Sequence, residues 1–515
     1  MFTQDEKMNC IMTKPIRKTD VKEISAEYTL PDYLPDITRL LHTGARIEDP
    51  EKYCSGDTAE YEGKLCFDVI YATNDGKIKN AAFDTDYSGS VSGLSISDLS
   101  SVSAYTYAEG VGCRLAGPRK LTVKAKLVTD ISVCSVECTE PAIGGKSTQE
   151  SIKTLQYRKN KVEFAKEIKT AQKNTPVSED IEIEPGMPQI SDIVYAQLLP
   201  APIEVKCSDG KVYYDGALLA NIMYESLGEN EQKYVFFTRE VPISGSAEAD
   251  GVSEGDMALC EVVVSNISYR PQADELGEAK TVELDFDYSV FFRIFSKSVC
   301  EVTTDMYSLD YENSVEKASL RYRTAEAAKT FNFSFNESAA YDDADFGTVL
   351  GASCRAAVIS AEKLGTKVSV SGNAVFSLIM CGENGSYAGK SFTLPFRADT
   401  DMGKFSHLFG FESCACAGEV NARVSDGRIF FDAEITVSLL ILGEKETDAI
   451  KSCTVFTDRP VTAYDHSNIV LYYPSRSDDL WTVAKKYNTT VEKLASLNGI
   501  TKEEVSGGVL VIPPR

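Results

Sequence analysis

The sequence predicts a multidomain, mainly β protein: three tandem β-rich domains of sandwich or barrel type, followed by a small α+β module with the order βααβ. Three observations predict it. A glycine motif recurs three times at nearly equal spacing, a strand of alternating apolar and polar residues follows each copy, and two short amphipathic helices can be placed in the last 50 residues. At 515 residues the chain is too long for one core, so about three to five domains are expected.

The glycine motif marks the repeat. Its copies read YEGKLCFDVIY from residue 61, YDGALLANIMY from residue 214 and VSGNAVFSLIM from residue 370, so the shared glycines lie 153 and 156 positions apart. Pro35, Pro188 and Ala344 stand 28 positions before those glycines. Such equal spacing at several positions predicts a repeat of about 150 residues.

Each copy continues as a strand that faces solvent on one side. Apolar and polar residues alternate at 121–127, 282–288 and 431–437, which is typical of half-solvated antiparallel strands. Turn sequences at 74–76, 227–229 and 383–385 predict hairpins.

The segment after Pro35 is either a short helix or an extended arm. We expect domains at residues 17–147, 155–308 and 318–457, with the tail module at 466–515.

Charge and composition narrow the class of protein. The formal net charge is −24, and the tail from His466 has six basic and five acidic residues, so the rest carries about −25. An acidic surface repels phosphates, so we expect no nucleic-acid partner and no direct membrane insertion. The N-terminus lacks the basic and apolar parts of a signal peptide, and 14 scattered cysteines favour reduced thiols in a cytosol.

The residues that usually perform catalysis or bind metals are scattered. The histidines are His42, His407 and His466. The closely spaced cysteines, Cys134 with Cys138 and Cys414 with Cys416, have no second ligand pair nearby. Phosphate-binding loops and nucleophile elbows are missing from the sequence. We therefore expect no enzymatic activity, no cofactor and no metal site.

Two aromatic runs allow two interpretations. The runs are FFRIF at 291–295 and FNFSF at 331–335. They are either core strands or exposed strand edges that pair with another chain. Alternating aromatic residues in a β domain favour the core.

The tail holds the only tryptophan, Trp481, and two helices whose starts carry capping residues. Asp478 is expected to cap a helix over 479–487. Thr489 and Glu492 have the spacing of a capping box for a second helix, which ends near Asn498. Apolar residues recur at helical spacing on both helices, so both can pack on a pair of strands.

These residues resemble the LysM family. The matches are LW-x-x-A from Leu480, the triplet Leu497-Asn498-Gly499, and Leu510-x-Ile512-Pro513. The resemblance implies binding of N-acetylglucosamine polymers such as peptidoglycan, through the loops after the first strand and after the second helix. Ser477-Asp478-Asp479 departs from the Gly-Asp-Thr of the family. The change adds a charge and removes a glycine that lets the loop backbone approach a sugar.

Three β repeats before a LysM module are similar to the SPOCS-domain spore-coat morphogenetic proteins. The motifs that carry this resemblance are LP-x-x-x-PDI at 30–37, G-x-L-x-x-x-V-x-Y at 63–71 and PRKL-x-V-x-A from Pro118. The third copy departs most, because it lacks both prolines and the final tyrosine.

The resemblance implies a non-enzymatic scaffold for coat assembly and encasement. It would work in the mother-cell cytoplasm at the forespore surface and dock through its LysM region to a coat morphogenetic ATPase, the basement layer of the coat. The alternative function is binding of peptidoglycan glycan in the spore cortex or cell wall.

The residues expected to bind the partner or the glycan are Tyr473, Ser477, Asp478, Leu480, Trp481, Asn498 and Ile500. They lie near the loop ends of the module, and a tryptophan with large aliphatic residues is typical of an interface anchor. Trp481 keeps a second interpretation, that of a buried core residue.

Overall fold

Strands dominate the computed structural model, which describes residues 10–13, 15–47, 50–94, 96, 100–144, 153–228, 233–343, 345–461, 470–475, 478–500 and 508–513. The first part of the chain forms β1 (Cys10–Met12), β2 (Ile16–Thr29), β3 (Ile37–Ile47), β4 (Glu51–Ser55), β5 (Thr58–Thr73), β6 (Ile78–Val91), β7 (Ser101–Gly117), β8 (Lys120–Cys134), β9 (Val136–Cys138) and β10 (Ala142–Gly144). We call residues 16–134 unit 1.

Two further groups of six strands follow. Unit 2, residues 155–308, contains β11 (Leu155–Glu182), β12 (Ile190–Ser208), β13 (Lys211–Ser226), β14 (Tyr234–Glu248), β15 (Met257–Ala273) and β16 (Ala279–Ser308). Unit 3, residues 311–460, contains β17 (Tyr311–Ala340), β18 (Thr348–Leu364), β19 (Lys367–Cys381), β20 (Tyr387–Asp401), β21 (Phe409–Ser425) and β22 (Arg428–Pro460). The tail module contains β23 (Val470–Tyr472), α1 (Leu480–Lys486), α2 (Val491–Asn498) and β24 (Leu510–Ile512).

One pattern of strand pairing recurs in the three units. In unit 1 the first, last and penultimate strands form the sheet β2-β8-β7, while β3, β5 and β6 form a second sheet that β4 extends. Unit 2 has the sheets β11-β16-β15 and β12-β13-β14, and unit 3 has β17-β22-β21 and β18-β19-β20. All of these pairings are antiparallel. The segment after Pro35 is the strand β3, so of the two interpretations the extended one is correct.

The two sheets of each unit pack face to face around a shared core, as in a sandwich. In unit 2, Tyr214 of β13 and Tyr288 of β16 join the sheets through hydroxyl groups 2.9 Å apart. In unit 3 the rings of Phe376 and Phe431 lie 4.5 Å apart across the same kind of core. The alternating runs lie on β8, β16 and β22, each the middle strand of the sheet formed by the first, last and penultimate strands of its unit, and their apolar side chains face the cores. Alternation therefore predicted the strand and its buried face correctly.

Two of the sequence motifs bind each other in unit 1. The Arg119 guanidinium donates hydrogen bonds of 2.9 Å to the Leu34 carbonyl oxygen and to the Asp36 carboxylate. The Leu30 backbone N–H donates to the Arg119 carbonyl oxygen at 2.8 Å. The LP-x-x-x-PDI segment is therefore held against the start of β8 by the Pro-Arg-Lys motif.

In units 1 and 2 the last tyrosine of the glycine motif is bonded to the backbone of the proline that precedes the motif. The Tyr71 hydroxyl donates to the Pro35 carbonyl oxygen at 3.4 Å, and the Tyr224 hydroxyl donates to the Pro188 carbonyl oxygen at 2.8 Å. In unit 3, Met380 replaces the tyrosine, and the proline is missing from the sequence as well. The two partners are lost together, which indicates that they act as a pair.

Each repeated glycine lies where another residue of the same unit approaches its backbone closely. A Cβ atom at Gly63 would meet the Tyr87 hydroxyl at 2.8 Å, and at Gly216 it would meet the Pro202 carbonyl oxygen at 2.7 Å. At Gly372 it would overlap the Ala357 carbonyl oxygen. Close approach to the neighbouring strand therefore accounts for glycine in all three copies.

The units meet in a common apolar cluster, to which every unit contributes. It contains Leu41, Ile70, Ile78, Val194, Tyr195, Met223, Tyr234, Ile379 and Tyr387. The Tyr234 hydroxyl accepts a hydrogen bond of 2.8 Å from the Ile78 backbone N–H of unit 1, and its ring packs edge-on against Tyr387 of unit 3 at 5.3 Å. Tyr234 thus joins unit 2 to both other units.

Segments that follow or precede unit 1 also join other units. Strand β10 pairs in parallel with β22 of unit 3, and Ile11 of β1 is buried among residues of units 2 and 3. From the aromatic runs, Phe292 is buried in the core of unit 2, whereas Phe295 is buried between units 2 and 3. Phe331 and Phe333 pack against the core of unit 3.

The junction of the units makes stability depend on pH through His42. Burial, together with the nearby Arg355 guanidinium, lowers the pKa of His42 from 6.5 to about 4. Between those values the unfolded chain binds a proton that the folded chain does not, so stability is complete above the unfolded pKa and falls as the pH is lowered. At pH 5 we expect a loss of about 2 kcal/mol relative to pH 8.

Unfolding midpoints measured from pH 8 to pH 5 check this expectation. The variant His42→Gln should lose less stability over that range than the wild type. His407→Gln, at an exposed position, is the matched control. Equal pH profiles for His42→Gln and the wild type would contradict the assignment.

Candidate partner-binding module

The tail module has the predicted order βααβ, and its helices pack on one face of a two-stranded antiparallel sheet. Strand β23 pairs with β24 in the register Leu471 to Val511. The buried core consists of Leu480, Val483, Ala484, Leu494, Leu510 and Ile512. Leu471 and Tyr473 alternate with the core-facing Val470 and Tyr472 along the chain, and both are exposed. The outer face of this sheet is therefore open to solvent.

The predicted helix caps were each wrong by one residue. The N-cap of α1 is Asp479, whose carboxylate accepts a hydrogen bond of 2.8 Å from the Thr482 backbone N–H. The N-cap of α2 is Thr490, whose hydroxyl accepts one of 3.1 Å from the Lys493 N–H. Both positions offered two adjacent capping residues, and sequence does not say which of two neighbours adopts the extended conformation of the cap.

Asp478 organises the loop before α1 instead of capping the helix. Its carboxylate accepts hydrogen bonds of 2.8 Å from the Ser475 backbone N–H and from the Tyr472 hydroxyl. These bonds, led by that from Ser475, lower the pKa of Asp478. The neighbouring Tyr473 is 73% exposed. Ser477 lies outside the described residues, so its expected contact with a ligand stays a prediction.

Three other predicted contact residues have different surroundings. Leu480 is only 2% exposed and belongs to the module core. Ile500 packs partly against that core. The Asn498 amide donates to the carbonyl oxygens of Leu494 and Val511 at 2.8 Å and accepts from the Val511 N–H at 2.7 Å. Asn498 therefore ties α2 to β24, and ligand contacts by all three side chains stay predictions.

Replacing Asn498 by alanine should destabilise the tail module by about 1–3 kcal/mol, because the N–H and carbonyl groups of Val511 lose their partner. Trp481 is the only tryptophan in the chain, so its fluorescence in a denaturant titration reports both the unfolding of this module and the loss of its contact with unit 2. Lys493→Ala, at an exposed position of the same helix, is the control and should change the midpoint little. An unchanged midpoint in Asn498→Ala would contradict the bridging role.

Trp481 is neither in the module core nor free in solvent, because it packs against unit 2. Its indole N–H donates to the Asp305 carboxylate at 2.8 Å, and its ring lies edge-on to Tyr307 at 5.0 Å. Lys485, one helical turn further on, binds the same carboxylate at 2.7 Å. The Tyr307 hydroxyl donates to the Thr489 carbonyl oxygen at 2.6 Å.

A second ion pair joins the module to unit 2. Arg158 of β11 lies 2.8 Å from the Asp479 carboxylate. Burial acts to raise the pKa of Asp305, but the hydrogen bonds from Lys485 and Trp481 lower it below the ordinary value. Sequence reasoning missed Arg158, Asp305 and Tyr307. No local motif marks them, because their partners are more than a hundred positions away.

Metal binding and thiol chemistry find little support among the described residues. There, no three side chains of His, Cys, Asp or Glu converge so as to hold a metal ion. Burial raises the pKa of Cys66, Cys113 and Cys134 to about 11. These three thiols stay protonated, and so poorly nucleophilic, at neutral pH. No helix among the described ranges has the length and apolar character needed to cross a membrane.

Two family models match the chain. The model of the SipL SPOCS domain matches residues 189–272, which contain β12 to β14 and most of β15, and the LysM domain model matches residues 476–504, which contain both helices of the tail module. Comparison with curated proteins finds no match, nor does comparison with solved structures. The chain therefore carries a SPOCS domain of the SipL type and a C-terminal LysM domain, as the motifs predicted.

Both are non-catalytic domain families, and together they fit a sporulation protein related to the spore coat that carries a module of the peptidoglycan-binding type.

Proposed function

We propose that this protein is a non-enzymatic scaffold for assembly and encasement of the spore coat. It works in the mother-cell cytoplasm at the forespore surface, and its tail module docks to the coat morphogenetic ATPase that forms the basement layer. The observation that carries the proposal is the combination of a SipL SPOCS domain and a C-terminal LysM domain in one chain.

We further propose that units 1 and 3 are SPOCS domains as well, with boundaries near 17–147, 155–308 and 318–457. The shared pairing of strands supports this extension, since the sheet β12-β13-β14 has a counterpart in each of the other units. The hydrogen bond from tyrosine to proline is present in units 1 and 2. A body of three units that contact one another offers a large surface, which is what a scaffold requires.

Charge supports a protein partner over a nucleic acid or an anionic lipid. The chain carries a formal net charge of −24, and all of this negative balance lies outside the tail, which has one more basic than acidic residue. Phosphate groups are repelled by such a surface, whereas a protein with a basic patch is attracted to it. We expect binding of the ATPase to weaken as salt is raised.

The outer face of the small sheet is an accessible part of the described tail module. Leu471, Tyr473 and Val509 are exposed there. An exposed tyrosine among aliphatic residues is a common anchor of protein interfaces, and its removal costs more than about 1 kcal/mol where it is an anchor. We therefore assign Tyr473 to the contact with the ATPase.

The test uses the full-length chain and the purified ATPase in a co-sedimentation titration. Tyr473→Ala should weaken binding at least about fivefold, given that 1.4 kcal/mol is tenfold. Tyr33→Ala is the matched control, because Tyr33 is 84% exposed but lies in unit 1. No binding by the wild type would overturn the proposed function, and equal binding by both variants would remove Tyr473 from the interface.

The second candidate function is binding of peptidoglycan glycan, which the LysM match favours. Against it stands Asp479, a charged residue where the family has threonine, whose carboxylate is paired with Arg158. Sedimentation of the full chain with purified cortex peptidoglycan distinguishes the two. Strong retention on peptidoglycan together with failure to bind the ATPase would replace the scaffold by a glycan-binding protein.

A further inference from the structure

We infer that the tail module is closed onto unit 2 in the free chain, with Trp481 and Lys485 held by Asp305, and that a protein that uses this face of the module binds only after the module is released. The closed state stands on the contacts alone. The consequence for binding rests on the proposed function.

The contacts lie on one stripe of the module. The side chains of Trp481 and Lys485, one turn apart on α1, and the backbone carbonyl oxygen of Thr489, which follows the helix, all contact unit 2. Their partners on unit 2 are Asp305 and Tyr307, which are two residues apart on β16 and therefore point to the same side of the strand. One side of the module, formed by α1 and the residues that follow it, is therefore held by one face of β16.

The charges of the contact are reciprocal. Unit 2 offers Arg158 to Asp479 of the module, while the module offers Lys485 to Asp305 of unit 2. A shift of the module along the strand or a reversal of its direction would bring like charges together, so the two pairs favour a single orientation. Asp479 is also one of the two residues at which the module departs from the LysM pattern, so its extra charge has a use in the closed state.

The closed state leaves one face of the module free and covers another. Tyr473 and Leu471 on the small sheet remain exposed, whereas Trp481 is partly buried against unit 2. A partner can therefore engage Tyr473 without any rearrangement. A partner that also needs Trp481 binds only the fraction of molecules that are open, so its apparent affinity is reduced by that fraction.

The fluorescence of Trp481 tests the closed state in the full-length chain without any partner. We call the contact of Asp305 with Trp481 and Lys485 the clasp. Asp305→Ala removes it from the side of unit 2 and Lys485→Met weakens it from the side of the module. Each variant should shift the emission of Trp481 to longer wavelength and increase its quenching by acrylamide. Glu301→Gln is the matched control, because Glu301 lies on the same strand as Asp305. Its carboxylate pairs with Lys159 of unit 2 at 3.7 Å. Far-UV circular dichroism verifies that each variant is folded.

A charge exchange separates a specific clasp from general loosening. Asp305→Lys should open the module more than Asp305→Ala does, because it faces Lys485, and adding Lys485→Asp should reverse part of that change. Wild-type emission in both Asp305→Ala and Lys485→Met would overturn the closed state. Failure of the exchange to recover any of the effect would overturn the pairing.

The consequence is tested with the purified coat morphogenetic ATPase, for which both Tyr473 and Trp481 are expected contact residues. Asp305→Ala in the full-length chain should bind it about tenfold more tightly than the wild type, the size expected when one charge-assisted contact no longer holds the closed form. Shifted fluorescence with unchanged affinity would overturn gating and leave the closed state standing. Shifted fluorescence with no binding by any variant would count against the proposed function only.

Discussion

Replacing Glu412 by alanine is expected to lower the free energy of unfolding by about 3–5 kcal/mol, the cost of breaking a buried ion pair from one side. The Glu412 side chain is only 8% exposed. It accepts from Arg17 of unit 1, lies 3.0 Å from Arg293 of unit 2 and 3.5 Å from Arg323 of its own unit. One carboxylate therefore links the three units.

The electrostatics of the cluster explain the size of the effect. Burial acts to raise the pKa of Glu412, but the surrounding guanidinium groups, led by Arg293, lower it below the ordinary value. Without the carboxylate, Arg323, which is 11% exposed, keeps its charge in a poorly hydrated place. Glu444, 4.0 Å from the Arg323 guanidinium, compensates that charge poorly, and desolvation of the guanidinium destabilises the variant.

Denaturant titration followed by far-UV circular dichroism measures the effect. Glu446→Ala is the matched control, because Glu446 pairs with Arg321 at 3.4 Å on the surface of the same unit, where such pairs contribute at most about 1 kcal/mol. Equal midpoints for the two variants would show that the Glu412 cluster is solvated and weak.

Replacing Gly389 by alanine should separate unit 3 from unit 1 locally, at a cost of about 1–3 kcal/mol. A Cβ atom at this position on β20 would overlap the backbone carbonyl oxygen of Leu41 on β3. Backbone atoms cannot rotate away as the end of a side chain can, so one of the strands must move. Leu41 belongs to the cluster where the three units meet, and the movement would therefore loosen that cluster.

Hydrogen exchange locates the effect. Amides of β3 and β20 should exchange faster in Gly389→Ala than in the wild type, while those of β13 in unit 2 change less. Gly347→Ala in unit 3 is the matched control, because nothing lies within 4 Å of a Cβ at that position. Unchanged protection in β3 and β20 would mean that the two units do not approach as closely as the structure has them.

Strands and their buried faces were predictable from the sequence, because successive side chains of a strand point to opposite faces. Alternation of apolar and polar residues along the chain therefore places all the apolar side chains on one face. Val282, Leu284 and Phe286 are buried as their alternation predicts. Helix caps were predictable only to within one residue. Asp478 and Asp479 are chemically the same, and only the loop bonds to Ser475 and Tyr472 decide which of them remains for the helix.

The contact partner of Trp481 could not be predicted from the residues around it in the sequence. Sequence left it as either an interface anchor or a core residue, and the structure makes it an anchor inside the chain itself. The decisive partner, Asp305, lies 176 positions away and belongs to a strand whose other residues give no sign of a binding site.

By itself the sequence determined that the protein is mainly β, that a motif recurs at an interval of about 150 residues, and that the tail is a LysM module, since each of these depends on residue types at short or fixed spacing. Only the tertiary structure decided which surfaces meet. Arg17 finds Glu412 across 395 positions, and Tyr234 joins three units, because contacts between folded units depend on shape and on charges brought together after each unit has folded. The spacing of residues along the chain does not predict such pairs.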